Sequence, residues 1–180
     1  GLLCARDLAS HGIKTLLIEQ SLAQGGGFWS GGCLMNKATI CAPADLILEE
    51  LGIPHKPIKE CEGMTIVDPP HATARLIAAA YEAGAKIMNL TRVLDLIVRE
   101  EGTLGGVVVN NTTAEMAGHD IIHVDPIALE SQIVIDATGH DAIVVNLLNR
   151  RNLHAKVPGN GAMWIAKSEV LVVQNTREIY

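Results

Sequence analysis

The stretch HDIIHVDPIALE, residues 119–130, contains two histidines and two aspartates within its first seven residues, in a chain that is 48% hydrophobic. His123 and Asp125 are two residues apart, so their side chains share one face if the backbone is extended. His119 and Asp120 fit a solvated turn. Imidazole and carboxylate groups bind divalent iron while leaving coordination positions open. The stretch is therefore either a solvated loop or part of a metal or catalytic site.

A further candidate ligand, His140, follows Asp125 by fifteen residues. The intervening PIALESQIVID predicts a short turn of helix and then a buried strand, which would place His140 at the carboxyl end of that strand. Open α/β sheets bind their ligands at that edge. His123, Asp125 and His140 are thus candidate iron ligands. The alternative is that each is an ordinary polar side chain with hydrogen-bond partners.

The first twenty residues predict half of a nucleotide-binding unit. GLLCARDLASHG predicts a helix that ends at Gly12, because its apolar residues recur at helical spacing. IKTLLIEQ predicts a short buried strand that ends in Glu19. Helix, turn, strand and acid form the second half of a dinucleotide-binding βαβ unit, in which the carboxylate accepts from ribose hydroxyls. Gly1 stands where the last glycine of that fingerprint would be. The alternative is an ordinary βαβ unit whose strand happens to end in glutamate.

A glycine-rich segment follows, with five glycines in the eight residues 25–32. Such a loop allows positive φ and lets backbone amides approach an anion. Phe28 and Trp29 within it argue against a plain flexible linker. Two further helices are predicted over APADLILEELGI and PPHATARLIAAAYEAGA. KIMNLTRVLDLIVREEGTLGGVVVNN predicts strand, strand, turn and strand, with EEGTLGG as the turn of a hairpin.

Composition and charge narrow the classes of protein. A chain of 180 residues fits one domain, and its 19% charged fraction argues against disorder. The net charge of -6 argues against a nucleic-acid-binding surface, and no apolar run is long enough for a membrane span. Cys4, Cys33, Cys41 and Cys61 lack CxxC spacing, which predicts reduced thiols in a cytoplasmic protein and no zinc site. The domain, residues 1–180, is expected to be incomplete at both ends.

Five segments of the chain resemble the thiamine thiazole synthase family. They are LLIEQSLAQGGGFWSGG, LILEELGIP, GGVVVNN, HVDP and ATGHD, in the family's order and spacing. The resemblance covers almost the whole chain. It implies an α/β fold: a two-dinucleotide-binding, Rossmann-like domain of the FAD/NAD(P)-binding kind, with a β-hairpin or meander insertion. It also implies an enzyme that takes NAD as a substrate, releases nicotinamide, joins the ADP-ribose carbons to glycine, adds sulfur and closes the thiazole ring of a thiamine precursor.

The resemblance also assigns residues to the dinucleotide. Glu19 and Gln20 would hold the adenosine ribose, Gly27 would lie against the dinucleotide, and Val93 would contact its adenine side. The implied dinucleotide-binding residues are Gly1, Glu19, Gln20, Gly27, Val93, His123, Val124 and Asp125.

The sulfur source and the metal follow from the same resemblance. The plant and fungal branch donates sulfur from its own cysteine, and His123 stands at that position here. The resemblance therefore implies the archaeal and anaerobic branch, which takes free sulfide and turns over repeatedly with iron(II). His123 would be the catalytic residue lining the NAD-derived intermediate. Asp125 and His140 would bind iron(II) from different subunits, which implies a homo-oligomer, an octamer.

Two other functions remain open from the sequence. A flavin-dependent oxidoreductase of the same fold would use Glu19 and the ATG segment equally well, but it leaves Asp125 with His140 unexplained. The other alternative is a non-catalytic module that binds NAD or a metal.

Overall fold

The computed structural model describes residues 1–31, 36–59, 61–118 and 124–153. The α-helices are α1 (Leu2–Ser10), α2 (Asp45–Glu50), α3 (Pro69–Glu82), α4 (Thr112–Ala117) and α5 (Ile143–Arg150). The strands are β1 (Leu16–Ile18), β2 (Ala38–Cys41), β3 (His55–Pro57), β4 (Met64–Val67), β5 (Lys86–Met88), β6 (Thr91–Val98), β7 (Leu104–Asn111) and β8 (Ile127–Glu130). Short 3-10 helices span Gly26–Ser30, Glu100–Gly102 and Gly139–Asp141. No helix in the described ranges is long and apolar enough to cross a bilayer.

The described residues divide into two compact units. The first contains Gly1–Leu17 and Ala23–Ile87, and the second contains Ile18–Leu22 and the described residues from Met88 onward. Each unit has its own apolar core, as the following paragraphs describe. The single domain over residues 1–180 stays a prediction.

In the first unit, α1 packs against α3 through small side chains. Ala5, Ala80 and Ala85 are buried there, and apolar side chains of α1, β1 and β5 lie around them. Because alanine side chains are small, the backbones of α1 and α3 can approach closely at this contact. Helix α1 ends where the sequence predicts: Gly12 has a φ of +77° and its N–H donates to the carbonyl of Ala9 at 2.9 Å.

The first unit also contains an antiparallel sheet with strand order β2-β4-β3. Its core consists of Ala38, Leu48, Ile53, Val67 and Ala72. Helix α3 follows β4 directly, and the carboxylate of the residue between them, Asp68, accepts from the N–H of His71 at 3.2 Å. The predicted start of this helix at the proline pair is confirmed. Proline suits the first helical position because the N–H that it lacks would have no hydrogen-bond partner there.

The second unit is built on a second antiparallel sheet, with strand order β6-β7-β8. The predicted hairpin is confirmed: β6 pairs with β7 and the 3-10 helix Glu100–Gly102 forms the turn. The second-unit core, defined as Leu96, Val107, Val109 and Val144, lies between this sheet and α5. Gly106 allows β8 to approach, since a Cβ at this position would lie 2.1 Å from the carbonyl oxygen of Leu129.

Two secondary-structure predictions are wrong. The helical turn expected after Pro126 is strand β8, because residues 127–130 pair with residues 106–109 of β7. The buried strand expected next is also absent: residues 131–138 carry no strand, and Ile133 and Ile135 are 78% and 52% exposed. Only Val134 of that segment packs against the second-unit core. An apolar run becomes a strand only where another segment supplies ladder hydrogen bonds, and none of the described residues does so here.

Candidate functional site

The end of β1 holds Glu19 by its backbone on both sides. Its N–H donates to the carbonyl of Met88 and its carbonyl accepts from the N–H of Thr91, each at 2.9 Å. Its side chain is half-buried, and Oε1 accepts from the N–H of Ser21 at 2.8 Å. A carboxylate has about four acceptor positions, so capacity for ribose hydroxyls remains. Gln20, the next residue, is exposed.

The glycine-rich segment has the positive φ angles that its composition predicts. Gly25 has a φ of +114°, and a Cβ there would lie 2.6 Å from the Cγ2 atom of Thr73. The segment is ordered by Trp29, whose Nε1 donates to the carbonyl of Gln24 at 2.6 Å. Gly27 is exposed, and a Cβ on it would meet no atom within 4 Å. Its backbone is therefore open to a ligand on the side where a side chain would otherwise stand.

Gly1 and Val93 have different environments. Gly1 is exposed at the start of α1, and its carbonyl accepts from the N–H of Ala5 at 2.9 Å. Val93 is half-buried in β6 and packs against the second-unit core. Its contact with adenine stays a prediction.

The two predicted iron ligands lie in the second unit. Asp125 is in the segment that enters β8, and His140 is in the 3-10 helix Gly139–Asp141; both are exposed. His140 therefore does not follow a strand, contrary to the sequence-based expectation. Val124 is also exposed, at 39%. The predicted catalytic residue, His123, lies outside the described residues.

Asp125 and His140 fit iron(II) in their chemistry and their availability. Neither side chain makes a hydrogen bond or an ion pair with another described residue, so a carboxylate and an imidazole are free to coordinate. Among the described residues of one chain, no group of three or more His, Cys, Asp and Glu side chains forms a metal site. These two residues thus fit as part of a ligand set.

Asp136 organises the segment that carries His140, a role that sequence reasoning missed. Its Oδ1 accepts from the N–H of Thr138 at 3.0 Å and from the hydroxyl of Thr138 at 2.7 Å, and its Oδ2 accepts from the N–H of Val145 at 3.1 Å. The Thr138 hydroxyl oxygen in turn accepts from the N–H of Ile143 at 2.8 Å. Two side chains thus satisfy the first donors of α5 from one loop. The only sequence signal was an aspartate and a threonine shortly before a helix.

These hydrogen bonds set the ionisation of Asp136. Burial is the largest influence and raises the pKa, but the hydrogen bonds from Thr138, Val145 and Val144 together outweigh it, so the pKa of Asp136 lies below its ordinary value. A carboxylate with a depressed folded-state pKa stabilises the protein above the unfolded-state pKa of about 3.9, and this contribution is lost as the pH falls through the folded-state pKa.

Replacement of Asp136 by asparagine should lower the free energy of unfolding at pH 7 by about 1–2 kcal/mol, because charge-assisted bonds to backbone donors are lost. The difference from the wild type should shrink as the pH falls through the folded-state pKa, since the wild-type side chain then becomes neutral. Urea unfolding at a series of pH values measures both effects. Asp45→Asn is the matched control: Asp45 lies in the first turn of α2 without a side-chain capping bond. A pH-independent loss in Asp136→Asn would contradict this account.

A second residue that sequence reasoning missed is Asn110, at the end of β7. It is 4% exposed, and its side-chain Nδ2 donates to the carbonyl of Val124 at 2.9 Å and to Oε1 of Glu115 at 2.7 Å. Its Oδ1 accepts from the N–H of Asn111 at 2.8 Å. The sequence signal for this role was an asparagine near the end of an apolar strand. An amide buried at such a position needs hydrogen-bond partners for all its polar atoms.

Comparison with known proteins decides the family. The family model described as the Thi4 family matches residues 1–180. The chain belongs to the Thi4 family. Over all of its length it is 43% identical to a protein of Aeropyrum pernix and 42% identical to a protein of Methanococcus vannielii, both named thiamine thiazole synthase. It spans 65% and 68% of the lengths of these two relatives.

Solved structures agree on the fold. The crystal structure of Thermovibrio ammonificans THI4 matches with a TM-score of 0.75 and 31% identity, over 83% of this chain and 57% of that one. The flavin-dependent brominase Bmp2 matches with a TM-score of 0.58 and 17% identity, over 85% of this chain and 38% of that one, which shows the fold alone. The predicted Rossmann-like, FAD/NAD-binding α/β fold is therefore confirmed for this Thi4-family chain.

Proposed function

We propose that this chain forms part of a sulfide-dependent ADP-thiazole synthase, which makes the thiazole precursor of thiamine from NAD, glycine and sulfide with iron(II). The observation that carries the proposal is the availability of Asp125 and His140 in a Thi4-family chain: an exposed carboxylate and an exposed imidazole without partners among the described residues. The name that the relatives carry, thiamine thiazole synthase, supports the reaction class.

NAD would be bound as a substrate. Glu19 has acceptor capacity for ribose hydroxyls at the end of β1, and its backbone is held in place. Gln20 would support the same ribose. Gly1 and Gly27 would let the backbone approach the dinucleotide, since a glycine leaves the space of a side chain free. Val93 would contribute apolar contact near the adenine.

The part of NAD that reacts would lie near the segment that enters β8. His123 would act as the catalytic residue there and Val124 would border the NAD-derived intermediate, while Asp125 and His140 would hold the metal. Iron(II), when bound, supplies Lewis-acid chemistry and a cation that collects the soft sulfide anion. Imidazole at position 123 contains no sulfur, so under this proposal the sulfur would come from sulfide in solution.

The family resemblance implies more than one copy of the chain. A second copy would contribute His140 to the Asp125 of the first copy. A homo-oligomer, an octamer, is the proposed assembly. The enzyme would transfer a pentosyl group from NAD, and we expect a cytoplasmic location, with neither nucleic acid nor membrane as a partner.

The relatives do not favour the two alternatives. A flavin-dependent oxidoreductase is supported only by fold likeness to proteins such as Bmp2, at 17% identity. A non-catalytic NAD- or metal-binding module finds no support in relatives that carry the name of a synthase.

The proposed function is tested by one reconstitution. The full-length protein is incubated without oxygen with NAD, glycine, sulfide and iron(II), and the mixture is analysed by mass spectrometry. An adenylated thiazole carboxylate, absent when NAD or glycine is omitted, is the expected product. A flavin spectrum in the purified protein and no thiazole product would overturn the proposal in favour of the oxidoreductase.

Glu19→Ala should weaken NAD binding by about 1–3 kcal/mol, because two ribose hydroxyl donors lose a charged acceptor. Calorimetry with NAD measures the loss. Glu19→Gln keeps an acceptor for the Ser21 N–H, so its comparison with Glu19→Ala separates the charge from the local turn. Glu62→Ala, at an exposed residue of the first unit, is the control. Unchanged affinity in Glu19→Ala removes Glu19 from the site.

A further inference from the structure

Asn110 is a buried amide with every polar atom satisfied. An asparagine amide nitrogen has two hydrogens, and here one goes to the carbonyl of Val124 and the other to the carboxylate of Glu115. The amide oxygen accepts from the N–H of Asn111. Because the residue is 4% exposed, water does not compete for these bonds. The orientation of the amide is thus determined, and with it the position of the Val124 carbonyl.

The bond to Val124 fixes one side of Asp125. On its other side, Ile127 pairs with Val109 at the start of β8. Pro126 lies between, and a proline restricts both its own φ and the backbone of the residue before it to extended conformations. The backbone of Asp125 is therefore held at two points three residues apart, while its carboxylate is exposed and unpartnered.

Glu115 supports this arrangement from α4. The helix begins directly after β7, and the side chain of its N-cap residue, Asn111, accepts from the N–H groups of Thr113 and Ala114. Glu115 lies in the first turn of that helix and is half-buried. Its carboxylate keeps the Asn110 amide in place through a charge-assisted bond, which is stronger than a bond between neutral groups.

We propose that Asn110 is a positioning residue for the metal site: through the Val124 carbonyl it orients Asp125 as a ligand, and Glu115 holds Asn110 in the required orientation. This inference rests on the proposed function, in which Asp125 binds iron(II). Removal of a group that orients a metal ligand typically lowers metal affinity by about 10-fold to 100-fold, although the group does not touch the metal.

The test is the affinity of the assembled full-length protein for iron(II) alone, without oxygen and without substrates. Asn110→Ala should weaken iron(II) binding by about 10-fold to 100-fold. Glu115→Ala should weaken it too, whereas Glu115→Gln should restore most of the affinity because the glutamine carbonyl still accepts from the Asn110 amide. Asn89→Ala is the matched control: the Asn89 amide also donates to a backbone carbonyl, that of Leu22, at 2.9 Å.

Thermal unfolding of each variant without iron separates positioning from stability. Both asparagine variants are expected to remain folded at the binding temperature, and only Asn110→Ala should lose iron affinity. Equal affinity in Asn110→Ala and the wild type would overturn the inference and leave the proposed function intact. A wild-type protein that binds no iron would overturn both.

Discussion

Replacement of Asp125 or of His140 by alanine should abolish iron(II) binding and thiazole formation while leaving the fold intact. Each substitution removes one of the two proposed iron ligands, and a site that loses a ligand from so small a set cannot retain a labile divalent ion. Both residues are exposed, so truncation leaves no cavity and no unpaired buried group. Iron content after anaerobic desalting measures binding, and circular dichroism checks the fold.

The controls for this prediction use the same residue types elsewhere. Asp45→Ala and His71→Ala change side chains that lie in the first unit, and both should keep full iron content. The proposed sharing of ligands between subunits adds a further consequence. If the two inactive variants exchange subunits, about a quarter of randomly mixed sites should regain both ligands and activity. Full iron stoichiometry in Asp125→Ala and His140→Ala would remove these residues from the metal site.

Without added sulfide the full-length protein should form no thiazole, and with sulfide it should form many products per chain with its mass unchanged. Covalent sulfur donation requires a cysteine at the reacting position, which the proposed function assigns to His123. Cys4 and Cys61 are half-buried in the first unit, and Cys41 is exposed in the same unit. Product quantification and intact-protein mass spectrometry from the same samples test both parts.

His123→Cys is the informative variant for the sulfur source. A thiolate at this position could supply one sulfur atom, so at most one sulfide-independent turnover per chain is expected, with conversion of that cysteine to dehydroalanine. Cys41→Ser serves as the control and should keep the sulfide requirement of the wild type. Thiazole formed by the wild type without sulfide, with the loss of one hydrogen sulfide from one of its own cysteines, would refute the prediction.

Several elements follow from the sequence because their signals are local. Three confirmed predictions each depend on the backbone preferences of a few neighbouring residues: the helix that ends before Gly12, the start of α3 at the proline pair, and the EEGTLGG turn. The family also follows, since the glycine-rich segment and the HVDP and ATGHD segments occur together in one order. The placement of Glu19 directly after a strand also follows from local sequence signals.

Other features depend on partners far away in the chain, and only the tertiary structure decided them. PIALE becomes β8 because β7 offers it ladder hydrogen bonds, while the more strand-like residues 131–138 find no such partner among the described residues. Asp136 and Asn110 look like ordinary polar residues until the fold brings the α5 donors to one and the Val124 carbonyl to the other. Composition and spacing determine which groups are available for chemistry. Burial and hydrogen bonding between residues far apart in the chain determine which of these groups position others, because the role of a polar side chain depends on its hydrogen-bond partners in the folded protein.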